Sequence, residues 1–150
     1  MKNIFTKEVT NEVIGRIEKL TAESQPNWGK MSVAQMLAHC CVTYEMVYTD
    51  KHPKPNAFAK FMLKMIVKKI VTSEKPYSKN GRTASQFLIT DEKVFESEKQ
   101  RLIDFINKTQ QLGEKEFDGK ESHSFGKLTK DEWNNMFYKH LDHHLTQFGV

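Results

Sequence analysis

His140 and His144 stand four residues apart inside the apolar arc of a helix, so any fold that buries that arc buries two imidazoles with it. At about 100° per residue, Trp133, Met136, Phe137, Leu141 and Phe148 spread across one side of a helix predicted over 129–148, and both histidines fall within that spread. Thr129, with Glu132 three residues on, opens it as a capping box. A buried imidazole needs partners for its ring nitrogens, and two neutral rings one turn apart do not easily satisfy each other. A metal ion resolves the problem. Zinc and related ions accept neutral histidine nitrogen at about 2.0–2.1 Å, and positions i and i+4 reach one ion from a single helix. Two core histidines bonded to carboxylates or carbonyls are the plain alternative. His143 points about 100° away from His144 and reads as a rim residue.

A third imidazole is available in Ser32-Val33-Ala34-Gln35-Met36-Leu37-Ala38-His39-Cys40-Cys41. Ser32 and Gln35 form a second capping box, and Val33, Met36, Leu37, Cys40, Tyr44 and Val47 make an apolar stripe with His39 on its flank. A flank position turns inward when a second helix packs beside the first, so the spacing permits a third ligand without requiring one.

The stretch Trp28-Gly29-Lys30-Met31-Ser32-Val33-Ala34-Gln35-Met36-Leu37-Ala38-His39 resembles one motif block of a branch of unknown function within the DinB/YfiT-like metalloenzymes. So does the ending: His123-Ser124-Phe125-Gly126-Lys127-Leu128-Thr129, Trp133, and Tyr138-Lys139-His140-Leu141-Asp142-His143-His144-Leu145-Thr146-Gln147-Phe148-Gly149. The resemblance spans nearly the whole chain and is strongest in these blocks. It implies an all-α four-helix bundle that holds a divalent metal through one histidine of the second helix and an i, i+4 pair of the last. The matching positions are His39, His140 and His144. Relatives of known activity transfer low-molecular-weight thiols or isomerise and hydrolyse small substrates. Within the branch a His-Pro pair often precedes the last helix, whereas Ser124 follows His123 here.

At 150 residues the chain is long enough for one domain with a real core, and a single domain over 1–150 is expected. A net charge of +4 with 28% charged residues of both signs interspersed is too diffuse to argue for nucleic acid. No apolar run follows Met1-Lys2-Asn3-Ile4-Phe5 or approaches the roughly 18 residues of a membrane span. The two cysteines, Cys40 and Cys41, are adjacent in a helix and cannot form an ordinary disulfide there. A reducing, cytoplasmic setting is the expectation.

The rest reads as helices separated by polar turns. Val9, Val13, Ile17 and Leu20 mark a first helix over 7–20. Pro53 and Pro55 make 51–56 a loop. Residues 58–70 alternate Phe58, Phe61, Met62, Met65 and Ile66 with Lys60, Lys64, Lys68 and Lys69, an additional short basic helix between the second and third long ones. That pattern suits a membrane surface or an anionic partner, but a helix packed across the bundle mouth, its lysine stems over apolar surface, needs the same residues and is the expectation. Asn80-Gly81 marks a tight turn in an irregular stretch expected beside the site. Thr90 is the predicted N-cap of a third long helix whose inward face runs from Val94 and Phe95 through Leu102, Phe105, Ile106 and Leu112 to a stop at Gly113. The stretch 114–128 is read as a polar loop, with His123 and, earlier, His52 exposed.

Three neutral histidines leave an ion at least one open position, the mark of a reactive rather than a structural site. A thiolate bound there would be activated for attack on an electrophile, and water would be activated for hydrolysis. The expectation is a metal-dependent enzyme of thiol transferase or hydrolase type, with zinc or nickel foremost. Its substrate is a small molecule, with a low-molecular-weight thiol as one class; neither nucleic acid nor membrane is expected, and a homodimer stays open. No Ser/His/Asp order, phosphate loop or His-Glu-x-x-His motif appears, so no catalytic residue is assigned. Cys40 reads as a small buried hydrophobe, Trp28 and Trp133 as core anchors, and Tyr44 and Gln147 as candidate partners of the ligands. The competing expectation is a non-catalytic bundle for ligand sensing or dimerisation.

Overall fold

A computed structural model describes residues 1–150. Its elements are α1 (Lys7–Glu18), α2 (Val33–Tyr48), α3 (Ala57–Ile66), α4 (Lys68–Thr72), a 3-10 turn at Ser85–Phe87, α5 (Phe95–Leu112), α6 (Glu114–Phe117), the two-residue strands β1 (Glu121–Ser122) and β2 (Gly126–Lys127), and α7 (Lys130–Gln147). The fold is all-α apart from the small antiparallel hairpin, in which Glu121 faces Lys127. No helix is long and apolar enough to cross a membrane.

Helix starts follow local chemistry. The Thr6 hydroxyl accepts from the Val9 amide at α1, and at α2 and α7 both halves of the predicted capping boxes form, Ser32 with Gln35 and Thr129 with Glu132. α5 stops at Gly113, whose φ of 73° is costly for any residue with a Cβ. The four long helices share one core. α1 and α2 each pack on both α5 and α7, closing Val13, Ile17, Met36, Leu37, Leu102, Ile106, Phe137 and Leu141 away from solvent. The Tyr44 ring lies nearly parallel between Phe105 and Phe137, at 5.7 and 5.0 Å. Each such side chain contributes roughly 1.5–3 kcal/mol through burial.

α2 is buried around almost its whole girth from Val33 to Glu45, because α5, α7 and the 3-10 turn cover different sides of it. The flank position of His39 is therefore interior, 5% exposed.

Four expectations need correction. Thr90 caps no helix: α5 begins at Phe95 after Val94, which is 71% exposed and offers no side-chain cap, and the Phe87 and Asp91 carbonyls before it accept from His39 and Gln35 of α2. The helix expected over 58–70 is two helices that meet at Val67, and α3 buries no residue. Within 114–128, α6 places Phe117 in the core and the hairpin pairs backbone groups that a plain loop would leave to water. His52 and His123 are not exposed. Glu45 bonds the His52 ring at 2.7 Å, and the His123 Nε2–H donates to the His52 carbonyl. Asn80, by contrast, takes the left-handed φ of 55° that its tight turn requires.

Candidate metal centre

α2 and α7 run side by side, so His39 from one meets His140 and His144 from the other. One nitrogen from each ring lies within 4.8 Å of the other two, a cluster that can hold a metal ion. His39 and His144 are buried. His140 keeps some accessible surface. His143 has turned away. Its ring stands edge-on to Trp28 and Tyr77 at 5.9 and 5.6 Å, the rim placement its spacing predicted.

The outer nitrogen of every ring is already engaged. His39 Nδ1–H donates to the Phe87 carbonyl at 2.8 Å. His144 Nδ1 lies 2.8 Å from Gln147 Oε1, and the Gln147 amide nitrogen donates to the Trp28 carbonyl at 2.6 Å, so its oxygen must accept from the imidazole. These two tautomers leave His39 Nε2 and His144 Nε2 as bare lone pairs. His140 Nδ1 meets the Thr43 hydroxyl at 3.0 Å, a partner that can donate or accept. Its Nε2 lies 2.9 Å from His39 Nε2, where it can carry a proton for His39 or present a third lone pair. A proton there satisfies His39 and leaves His144 Nε2 with no hydrogen-bond partner in the protein.

Burial keeps the three rings neutral. Burial, reinforced by the neighbouring rings, pushes His140 far below the usual imidazole value and His144 down to about 3; burial also lowers His39. Neutral imidazole is the ligand form. Phe87 roofs the cluster, its ring 5.4 Å from His39 and 5.8 Å from His140.

The outer partners were only partly foreseen. Gln147 bonds the His144 ring, and its amide passes so close to Gly29 that a Cβ there would sit 2.5 Å from it. Tyr44 does not reach the rings: its hydroxyl has no partner inside the aromatic stack. Thr43 and Phe87 were missed, since a threonine beside a stripe and a carbonyl from a distant loop leave no mark in spacing. Cys40 is a buried packing residue, its thiol pushed up by burial. Trp133 anchors the core, whereas Trp28 is half-buried under the Lys79 ammonium.

No curated protein and no solved structure matches the chain significantly. A family model matches residues 4–149, and the chain belongs to that family, described as a protein family of unknown function, DUF1569.

Proposed function

We propose that the chain is a metal-dependent enzyme acting on a small molecule, a four-helix bundle of DinB/YfiT type whose divalent ion is held by His39, His140 and His144. The supporting observation is the tautomer pattern: three Nδ1 atoms are engaged outward, leaving up to three Nε2 lone pairs that converge where a single proton cannot serve them all. An imidazole set of this kind suits zinc or nickel. A bound ion would supply a Lewis acid with an open position, lowering the pKa of a water or thiol that reaches it.

The residues around the cluster serve that role. Phe87, Thr43 and Gln147 fix the three ring orientations, and such partners tune a ligand's basicity as well as its aim. The apolar floor of α2 and α7 keeps the imidazoles neutral. A low-molecular-weight thiol with an electrophile, or an ester with water, is the substrate class we infer. The test is a panel of both, run with zinc- and nickel-loaded protein. Turnover that disappears with a chelator and in His140→Ala supports the proposal. A loaded protein that turns over no member favours the non-catalytic sensing module, for which the proton-bridged His39–His140 pair is the resting state.

A further inference from the structure

α3 faces the wrong way for a helix that only closes the protein. Phe58, Phe61, Met62, Met65 and Ile66 recur at the i, i+3, i+4 spacing of one face, and that face points to solvent. Phe58 is 75% and Met65 66% exposed, and Ile70 of α4 extends the stripe at 57%. Monomeric proteins rarely leave so continuous an apolar surface uncovered without a partner. The opposite side of α3 and α4 is anchored: Lys60 pairs with Glu121, Lys68 with Glu132, and Lys139 of α7 donates to the Ile70 carbonyl. The outward face is thus fixed in place.

Its charge identifies the partner. Residues 51–75 hold seven lysines and one carboxylate, Glu74, in a chain of net charge +4, so the rest of the molecule is net negative. Lys64 and Lys69, beside the apolar stripe, are exposed and make no ion pair. A second copy is a poor cover, because twofold pairing of antiparallel helices sets like flank against like flank, here lysine against lysine. An apolar face bordered by lysines is instead the pattern of a helix that lies in the headgroup layer of an anionic bilayer.

We propose that α3 and α4 dock the protein peripherally on an anionic lipid surface, phenylalanine and methionine entering the acyl boundary while Lys64 and Lys69 meet the headgroups. This stands apart from the metal centre and would hold with that site abolished. The test is co-sedimentation of the full chain with vesicles of phosphatidylcholine alone or mixed with phosphatidylglycerol, at low and at raised salt. Binding to the anionic vesicles only, weakened by salt, is expected. It should fall about tenfold or more in Phe61→Ser/Met65→Ser and in Lys64→Glu/Lys69→Glu, each lysine near the surface counting for roughly fivefold. Both pairs are solvent-facing, so unchanged circular dichroism is expected alongside. Absence of binding to anionic vesicles, or binding that survives both double variants, overturns the proposal. So does a wild-type dimer in sedimentation velocity that Phe61→Ser/Met65→Ser dissociates, since a second copy would then cover the face.

Discussion

At the scale of single residues, the candidate site depends on side chains that hold imidazoles rather than bind anything themselves. Gln147 is the clearest, because it fixes the His144 tautomer while its other end is tied to the Trp28 carbonyl. Gln147→Leu should weaken zinc binding about 10–100-fold in competition with a chromophoric chelator, with the helical spectrum intact. An unchanged affinity would mean that His144 is oriented by packing alone. Gly29→Ala should lower stability by roughly 1–2 kcal/mol in denaturant titration, since its φ of 85° is left-handed and the new Cβ would displace the Gln147 amide. The cysteines should behave as packing residues: burial pushes Cys41 up to about 12 and Cys40 higher than its ordinary value. Neither should react with a thiol reagent until the protein is unfolded; rapid labelling in the native state would contradict their burial. The histidine pair was legible because 3.6-residue periodicity shows which side chains a helix buries. Thr43 and Phe87 were not, because they are supplied across helices and periodicity describes one helix at a time.

At the scale of elements, the joint between α2 and α5 is held by a buried carboxylate. Glu45, 3% exposed, accepts from Lys51, His52 and Arg101, and Arg101 also bonds Glu98. Burial alone would raise the Glu45 pKa, but hydrogen bonds from Lys51 and His52 and the Arg101 charge together hold it below the usual carboxylate range. A depressed folded-state pKa adds stability that is complete above the unfolded value, about 4.3, and is lost as pH falls through the folded one. The melting temperature should therefore drop from about pH 5 toward pH 3, and Glu45→Gln should flatten that part of the curve. At neutral pH the variant should lose about 1–2 kcal/mol, because the bonds from Lys51, His52 and Arg101 lose their charged acceptor while Arg101 keeps Glu98; an equally steep acid limb would assign the loss to other carboxylates. Helix starts with side-chain caps were readable because the cap and its partner lie three residues apart. The start of α5 was not: Val94 offers no cap, and the Asp91 carbonyl accepts from Gln35 on a different helix. α3 was read correctly as amphipathic, yet amphipathicity does not say which face meets the protein, and here the apolar face looks outward.

At the scale of the whole molecule, the four long helices enclose one hydrophobic core, and the three imidazoles come together where α2 meets α7. Helical class and core were legible because capped amphipathic segments of this length have few other ways to bury their stripes. The reaction was not, because three histidines and their spacing name no substrate. An ion that binds only the folded state adds about 2.7 kcal/mol at a hundredfold excess over its dissociation constant. Chelation should then lower the melting temperature by roughly 5–10 °C in wild type and hardly at all in His39→Ala. The most direct test of the central claim is the metal content of untagged protein by elemental mass spectrometry, beside His39→Ala and His144→Ala. The three-histidine site predicts close to one ion per chain in wild type and a loss of most of it in both variants. A wild type that takes up no ion after incubation with zinc or nickel, or variants that keep the wild-type content, would contradict it.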